Sequence, residues 1–184
     1  SWADKHYPAL RLITQTNGGT AAARNRGIST AVSEFVALLD ADDVMHANHL
    51  ATFARMFGDA PDVVLCFADA IRERNGEPDP EGFLAGNALL ALDYTECADT
   101  GRVITASAYS GLVGGSRIAT CSCVFRRSSA VACGLFNENL RYSEDREFFL
   151  RMSREGAFAY VRDQLSTVRI HGGNKEDRGN RGAV

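Results

Sequence analysis

The stretch FVALLDADD, residues 35–43, decides how this chain is interpreted. Its five apolar residues predict a buried strand, and three carboxylates follow directly: Asp40, Asp42 and Asp43. Two aspartates that flank one residue can share a divalent cation, and Mg²⁺ and Mn²⁺ prefer oxygen ligands. Open α/β sheets also bind ligands at the carboxyl ends of their strands. The stretch therefore predicts a site for a metal-bound phosphate; a polar loop that caps a helix near residues 47–48 is the simpler alternative.

Strands and helices alternate on both sides of this stretch. The pattern predicts strands over residues 11–15, 35–39 and 62–68, and helices over residues 20–32 and 48–57. The strand over residues 62–68 is almost wholly apolar, which is typical of burial on both faces. The alternation predicts an α/β fold with a mostly parallel central sheet.

The second half of the chain has weaker patterns. We expect an exposed loop over residues 72–86, a short helix over residues 88–92 and a mobile loop near the site over residues 105–116. A strand over residues 118–125 and a second short helix over residues 128–133 are expected to follow. Ser143 is a predicted N-cap, and two short strands follow within residues 158–171. The polar residues 172–184 form an expected disordered tail behind a single domain, residues 1–171.

Composition narrows the function classes. The chain has 184 residues and a net charge of -3, which argues against nucleic-acid binding by phosphate neutralisation. No apolar run approaches the roughly 18 residues of a membrane span. Five cysteines without a metal-ligand spacing predict small core residues in a reducing compartment, Cys121 and Cys123 facing one side of a strand. We therefore predict a cytoplasmic location. Peripheral association with the inner face of the membrane and assembly into a homo-oligomer are both left open.

A second carboxylate pair, Glu144 and Asp145, lies in the first turn of a predicted helix. The helix dipole favours an ionised carboxylate there, and an ionised carboxylate is what a general base needs. Simple complementation of the dipole is the alternative. Arg24, on a helix rich in small residues, could reach a pyrophosphate or a nucleobase, or it could be a surface arginine. His171 follows a predicted strand, and such a histidine is more often a plain surface or core residue than a ligand.

Several segments together resemble the family-2 glycosyltransferases of the GT-A fold. They are QTNGGTAAARNRGI (15–28), ALLDADD (37–43), GLFNE (134–138), SEDREFFLR (143–151) and the closing strands with their histidine (160–171). The motifs occur in the family's order across most of the chain. The resemblance implies a Rossmann-like three-layer α/β sandwich.

The resemblance also implies roles for single residues. Asp40 and Asp42 form the DXD motif, with Asp43 beside it, and these carboxylates hold the ribose of a nucleotide-sugar and Mn²⁺ or Mg²⁺ on its diphosphate. Asp42, Asp43 and His171 are the implied metal ligands, and Arg24 matches a position near the nucleotide.

For the transfer step, the resemblance makes Asp145 the base that deprotonates the acceptor hydroxyl, in one displacement that inverts the anomeric carbon, and Glu144 an acceptor contact. The implied donor is a UDP-sugar in the first place. The implied acceptor is a glycan, a lipid-linked sugar or a protein-linked glycan.

The chain departs from the family at its beginning. It opens with SWADKHY (1–7), which resembles the segment that follows the family's first two strands, so we expect those nucleotide-binding strands to be missing. One alternative is therefore a non-catalytic fragment that retains the acceptor half. A remote alternative is a phosphatase of the haloacid-dehalogenase type, because Asp40 and Asp42 fit its nucleophile motif locally.

Overall fold

A computed structural model describes residues 10–98, 100–115 and 118–171 of the chain. Its α-helices are α1 (Gly19–Thr30), α2 (His49–Asp59), α3 (Ala108–Val113), α4 (Arg127–Ala132) and α5 (Glu144–Met152). Its strands are β1 (Phe35–Ala37), β2 (Val44–Met45), β3 (Val63–Arg74), β4 (Glu77–Pro78), β5 (Tyr94–Cys97), β6 (Gly101–Ile104), β7 (Cys123–Arg126) and β8 (Ala157–Ile170). Two 3₁₀ turns, Ala88–Ala91 and Thr120–Ser122, complete the secondary structure of these residues.

The strands form one sheet in the order β1-β7-β3-β8-β6-β5, with β2 paired to β8 and β4 to β3. Only the central pairing of β3 with β8 is parallel, and the other described pairings are antiparallel. The expectation of a mostly parallel sheet was therefore wrong for the described strands. The reason is that β7 returns between β1 and β3, and β6 pairs with the far side of β8.

Apolar side chains cover both faces of the sheet, as the predicted three-layer arrangement requires. On β3, Leu65 and Phe67 pack into one core with α1 and α5, whereas Cys66 and Ala68 pack into another with α2. The alternation follows from the two-residue period of a strand. Burial on both faces explains why this strand reads as an unbroken apolar run.

Most predicted elements in the first half of the chain are present, with altered bounds. The exception is the strand predicted over residues 11–15, because residues 10–18 have no regular structure. The predicted loop over residues 72–86 begins with the end of β3 and the short β4, joined by a turn at Asn75 and Gly76, which both have positive φ.

The second half of the chain differs more from expectation. The mobile loop predicted over residues 105–116 is described as far as residue 115 and contains α3. The two closing strands predicted within residues 158–171 are the single strand β8. The pairing of β8 with β3 has register shifts near Ala68 and Asp69 of β3. Strands β5 and β6 were not predicted. The predicted disordered tail, residues 172–184, lies outside the described residues.

The cysteine prediction was half right. Cys121 and Cys123 are fully buried, and all five cysteines are free. They do not share one strand face, however, because Cys121 lies in a 3₁₀ turn and packs with Ala70 and Ala119, whereas Cys123 enters the core below α1 and α5. Burial raises the pKa of Cys123 to about 12, so its thiol stays protonated at neutral pH.

Among residues 10–98, 100–115 and 118–171, no helix combines the length and the apolar character that a membrane crossing requires.

Candidate functional site

The aspartate-rich loop after β1 is fastened to β8. Val44 and Met45 of β2 pair antiparallel with Thr167 and Ser166. His46 adds two contacts from its ring: Nδ1 donates to the carbonyl of Gln164 at 2.9 Å, and Nε2 lies 3.0 Å from Oγ1 of Thr167. The loop that carries the carboxylates is therefore held by backbone and side-chain bonds on its C-terminal side.

Asp42 and His171 meet at the open side of this loop. Nε2 of His171 lies 3.0 Å from Oδ2 of Asp42, and their side chains are 54% and 44% exposed. Both groups can therefore reach solvent or a ligand. The structure brings together two of the three side chains that were predicted to hold a metal.

Asp43 is turned toward the protein. Its Oδ1 accepts a hydrogen bond from the backbone N–H of Arg169 at 3.1 Å, and burial raises the pKa of its carboxyl above the ordinary value. Within the described parts of the chain, no three His, Cys, Asp or Glu side chains converge as a ready metal cage. The role of Asp43 as a metal ligand stays a prediction.

Arg24, on α1, gathers side chains from three other segments. Its Nη2 donates to Oδ1 and Oδ2 of Asp40 at 3.1 and 2.9 Å and to Oγ1 of Thr120 at 3.3 Å. Its Nη1 donates to Oε1 of Glu144 at 3.3 Å. We call Arg24, Asp40, Glu144 and Thr120 the Arg24 cluster. It joins Asp40, the first aspartate of the predicted DXD motif, to the carboxylate beside the predicted base.

Glu144 and Asp145 have different surroundings despite being neighbours at the start of α5. Glu144 is buried against Arg24. The side chain that was expected to contact the acceptor therefore already has an ionic partner. Asp145 is only half-buried, and its Oδ1 accepts a hydrogen bond from the N–H of Arg146 at 2.7 Å. Of the two, Asp145 is the more accessible carboxylate.

The backbone before Asp145 is unusual. Ser143 has φ 56°, in the left-handed region, and its side chain makes no capping hydrogen bond. The N-cap position was predicted correctly, but the cap itself is absent. The helix is anchored instead by Arg146, whose guanidinium donates to the carbonyls of Leu112 and Val113 at the end of α3. The predicted mobile loop is therefore bonded to the helix that carries Asp145.

Asn25 is a site residue that the sequence interpretation missed. Its Nδ2 donates to the carbonyl of Phe136 and to Oε1 of Glu138, and its Oδ1 accepts from the N–H of Phe136, all within 2.9 Å. These bonds dock the segment before α5 onto α1. An asparagine inside a predicted helix of small residues was the available signal, because asparagine seldom favours a helix interior without a partner.

A cavity of about 480 Å³ lies against α1, β1 and the residues that follow β1. Small and apolar side chains of α1 and residues 35–39 form most of its wall, and Arg24 and Asp40 lie at its lining as polar groups. Two side chains predicted to bind the nucleotide therefore line one open space.

The profile of the family described as "Glycosyl transferase family 2" matches residues 1–129. The chain therefore belongs to glycosyl transferase family 2.

Curated relatives agree with this family. YibD of Escherichia coli, an uncharacterized glycosyltransferase, is 40% identical over 74 residues, which cover 40% of this chain and 22% of YibD. The chondroitin synthase of Pasteurella multocida is 24% identical over 179 residues, which cover 91% of this chain and 15% of the synthase. The chain thus spans less than a quarter of the length of these relatives.

Among solved structures, S. aureus TarS 1-349 in complex with UDP-GlcNAc superposes with a TM-score of 0.62 at 16% identity. The match covers 94% of this chain and 44% of TarS 1-349. The complex of the same protein with UDP gives a TM-score of 0.58 at 17% identity. At this identity the likeness concerns the fold, and it confirms the GT-A architecture.

Proposed function

We propose that this chain carries the donor and acceptor sites of an inverting glycosyltransferase. The enzyme would move a sugar from a nucleotide-diphospho-sugar to a hydroxyl of a glycan or a lipid-linked acceptor. One observation carries the proposal: the Arg24 cluster links Asp40, the predicted donor-site carboxylate, to Glu144, next to the predicted base Asp145. The link keeps the two predicted sites close together, which suits a transferase because its two substrates must react across a short distance.

A UDP-sugar is the first donor to test. TarS has been solved with UDP and with UDP-GlcNAc, and two relatives are named chondroitin synthase and hyaluronan synthase. These names support a uridine nucleotide as donor and a growing polysaccharide as acceptor. Lipid-linked and protein-linked acceptors, peripheral membrane association, a homo-oligomer and the cytoplasmic location stay predictions.

In the proposed reaction the acceptor oxygen attacks the anomeric carbon of the donor sugar. Asp145 takes the hydroxyl proton as the new C–O bond forms, and the bond from the anomeric carbon to the diphosphate breaks on the opposite side. The electron pair leaves with the nucleoside diphosphate, and the configuration of the carbon inverts. A general base of this kind contributes roughly a hundredfold to ten-thousandfold in rate.

Asp42 and His171 are suited to hold a divalent cation, with Asp43 as a further candidate. Mg²⁺ commonly takes one or two protein carboxylates and fills its other positions with water and substrate phosphate oxygens. An exposed carboxylate and imidazole 3.0 Å apart therefore fit better than a closed cage would. A bound Mn²⁺ or Mg²⁺ would neutralise the charge on the departing diphosphate.

Calorimetric titration of UDP, GDP and dTDP, each with and without Mn²⁺, tests the donor site. We expect binding of one nucleotide that depends on Mn²⁺ and is lost in Asp42→Asn. The matched control is Asp163→Asn, which removes an exposed carboxylate of β8 and should bind as the parent chain does. A folded chain that binds none of the three would favour the non-catalytic fragment.

Transfer assays with the sugars of the bound nucleotide test the chemistry. Asp145→Asn should lose at least about a hundredfold in kcat while binding the nucleotide normally, because it removes the base and leaves the donor site intact. Full activity of Asp145→Asn would refute the assignment. The phosphatase alternative loses its support, since the chain belongs to glycosyl transferase family 2.

A further inference from the structure

Arg24 occupies a position that its predicted contact with the nucleotide does not explain. Both terminal nitrogens of its guanidinium are taken up by protein oxygens, four contacts within 3.3 Å. The planar group also lies 5.4 Å from the centre of the Phe136 ring. Its contacts extend in two directions, to Asp40 after β1 and to Glu144 at the start of α5.

The burial of the cluster is uneven. The side chains of Arg24 and Glu144 are 10% and 11% exposed, whereas that of Asp40 is 40% exposed. The inner pair is therefore shielded from solvent, and loss of one partner leaves a buried charge without compensation. The outer carboxylate remains open to a ligand while its orientation is fixed by the guanidinium.

The inner pair also supports the turn that presents Asp145. Ser143 holds a left-handed backbone conformation without a capping bond from its side chain. Such a conformation costs a non-glycine residue free energy and persists only when neighbouring contacts enforce it. Glu144, the next residue, is bonded to Arg24, so this ion pair is a contact that can enforce the turn.

We infer that Arg24 is a positioning residue that couples the two halves of the site: it fixes Asp40 for the donor and, through Glu144, the turn that aims Asp145 at the acceptor. The inference rests on the proposed function for what each half binds. It does not need Arg24 to touch either substrate. It implies that lysine cannot replace Arg24, since the single ammonium of a lysine cannot form the same planar fork to two carboxylates.

A cycle of unfolding measurements tests the coupling without any ligand. Asp40 and Glu144 both contact Arg24, so Asp40→Asn and Glu144→Gln should not act independently. We expect the unfolding equilibrium constant of the double variant to differ by about threefold or more from the product of the single effects. In the Arg24→Met background the two effects should become independent. Independent effects in the parent chain would overturn the inference, even if Arg24→Met does not fold.

A nucleotide titration gives a readout that local packing alone would not move. Glu144→Gln should weaken Mn²⁺-dependent UDP binding by about two- to thirtyfold, because Arg24, the partner of Asp40, is then held less firmly. The control is Glu147→Gln, one turn further along α5, where the carboxylate bonds to Arg151 and has no part in the Arg24 cluster. Unchanged affinity in Glu144→Gln would refute the coupling.

The two experiments separate two failures. A parent chain that binds no nucleotide contradicts the proposed function, while the unfolding cycle still decides whether Arg24 couples Asp40 to Glu144. A chain that binds UDP but shows independent effects in the cycle keeps the function and loses the coupling.

Discussion

The imidazole of His171 lies 3.0 Å from the carboxylate of Asp42, although 129 positions separate the two residues in the chain. The contact exists because β8 runs alongside the aspartate-rich loop and ends beside it. His171 itself is the first residue after that strand. The end of β8 therefore completes the candidate metal site that the loop begins.

Replacing His171 by alanine should weaken the dependence of UDP binding on Mn²⁺ and leave the fold intact. An exposed side chain contributes little to stability, whereas loss of one protein ligand usually lowers metal affinity severalfold or more. Calorimetric titration of Mn²⁺ in the presence of UDP measures the effect. The control is the exposed Asp163, replaced by asparagine. Equal Mn²⁺ affinity in His171→Ala would remove His171 from the list of ligands.

Acidification should destabilise the protein partly through His49. Its Nδ1 donates to the carbonyl of Leu165 at 3.1 Å, and its buried Nε2 has no hydrogen-bond partner in the part of the chain that the structure describes. Burial lowers the pKa of His49 below its ordinary value. Between the lowered pKa and about 6.5 the unfolded chain binds a proton that the folded chain does not, so stability falls as the pH falls.

The variant His49→Phe isolates this contribution. Phenylalanine keeps the edge-on ring contact with Phe53, and the carbonyl of Leu165 still accepts from the N–H of His46. Urea unfolding between pH 7.5 and 5.5 should therefore show a smaller loss of stability in His49→Phe than in the parent chain. Identical slopes would show that His49 does not titrate in this range.

Gly82→Ala should destabilise the fold. A Cβ there would lie 2.0 Å from Oδ2 of Asp69, whose Oδ1 accepts from the N–H groups of Ala70 and Leu84 at 2.8 Å. The carboxylate would have to leave those bonds, so we expect a loss of about 1–3 kcal/mol in the free energy of unfolding. Gly58→Ala is the matched control, because its Cβ meets nothing within 4 Å in α2. That change should stabilise the helix by about 0.5–1 kcal/mol.

Asn25→Ala should be among the most destabilising changes in α1. It removes three hydrogen bonds and leaves the N–H and C=O of the buried Phe136 without their side-chain partner. We expect a loss of about 2–4 kcal/mol, since each buried polar group left unpaired costs roughly 1–3 kcal/mol. Denaturant unfolding measures it, with Asn139→Ala, at an exposed position, as the control. A loss no larger than that of Asn139→Ala would contradict the docking role of Asn25.

The sequence allowed good predictions where periodicity and burial act locally. Helices α1 and α2 were expected near their observed bounds, because their patterns report one face of packing. The apolar strand β3 begins where it was expected but continues to Arg74, beyond the predicted end at residue 68. The family and the fold were also recognisable from linked motifs. The strand over residues 11–15 failed because a strand needs a neighbour, and the described sheet offers none there.

The candidate site was only partly predictable for a related reason. Its residues were found one by one, but the pattern could not show that Arg24 would bond to both Asp40 and Glu144, or that Asp43 would turn toward β8. These contacts depend on which segments become neighbours. The antiparallel return of β7, which places Thr120 near Arg24, is a property of the whole sheet rather than of any local stretch.

The long strand β8 also has a consequence for biosynthesis. Among the described strands it forms the one parallel pairing, with β3, and it receives β2 and His46 from the aspartate-rich loop. A nascent chain that has emerged only to α5 therefore lacks the partner that fixes this loop. Since pairing between distant segments forms slowly, ordering of the candidate metal site should be a late event that waits for residue 171 to leave the ribosome.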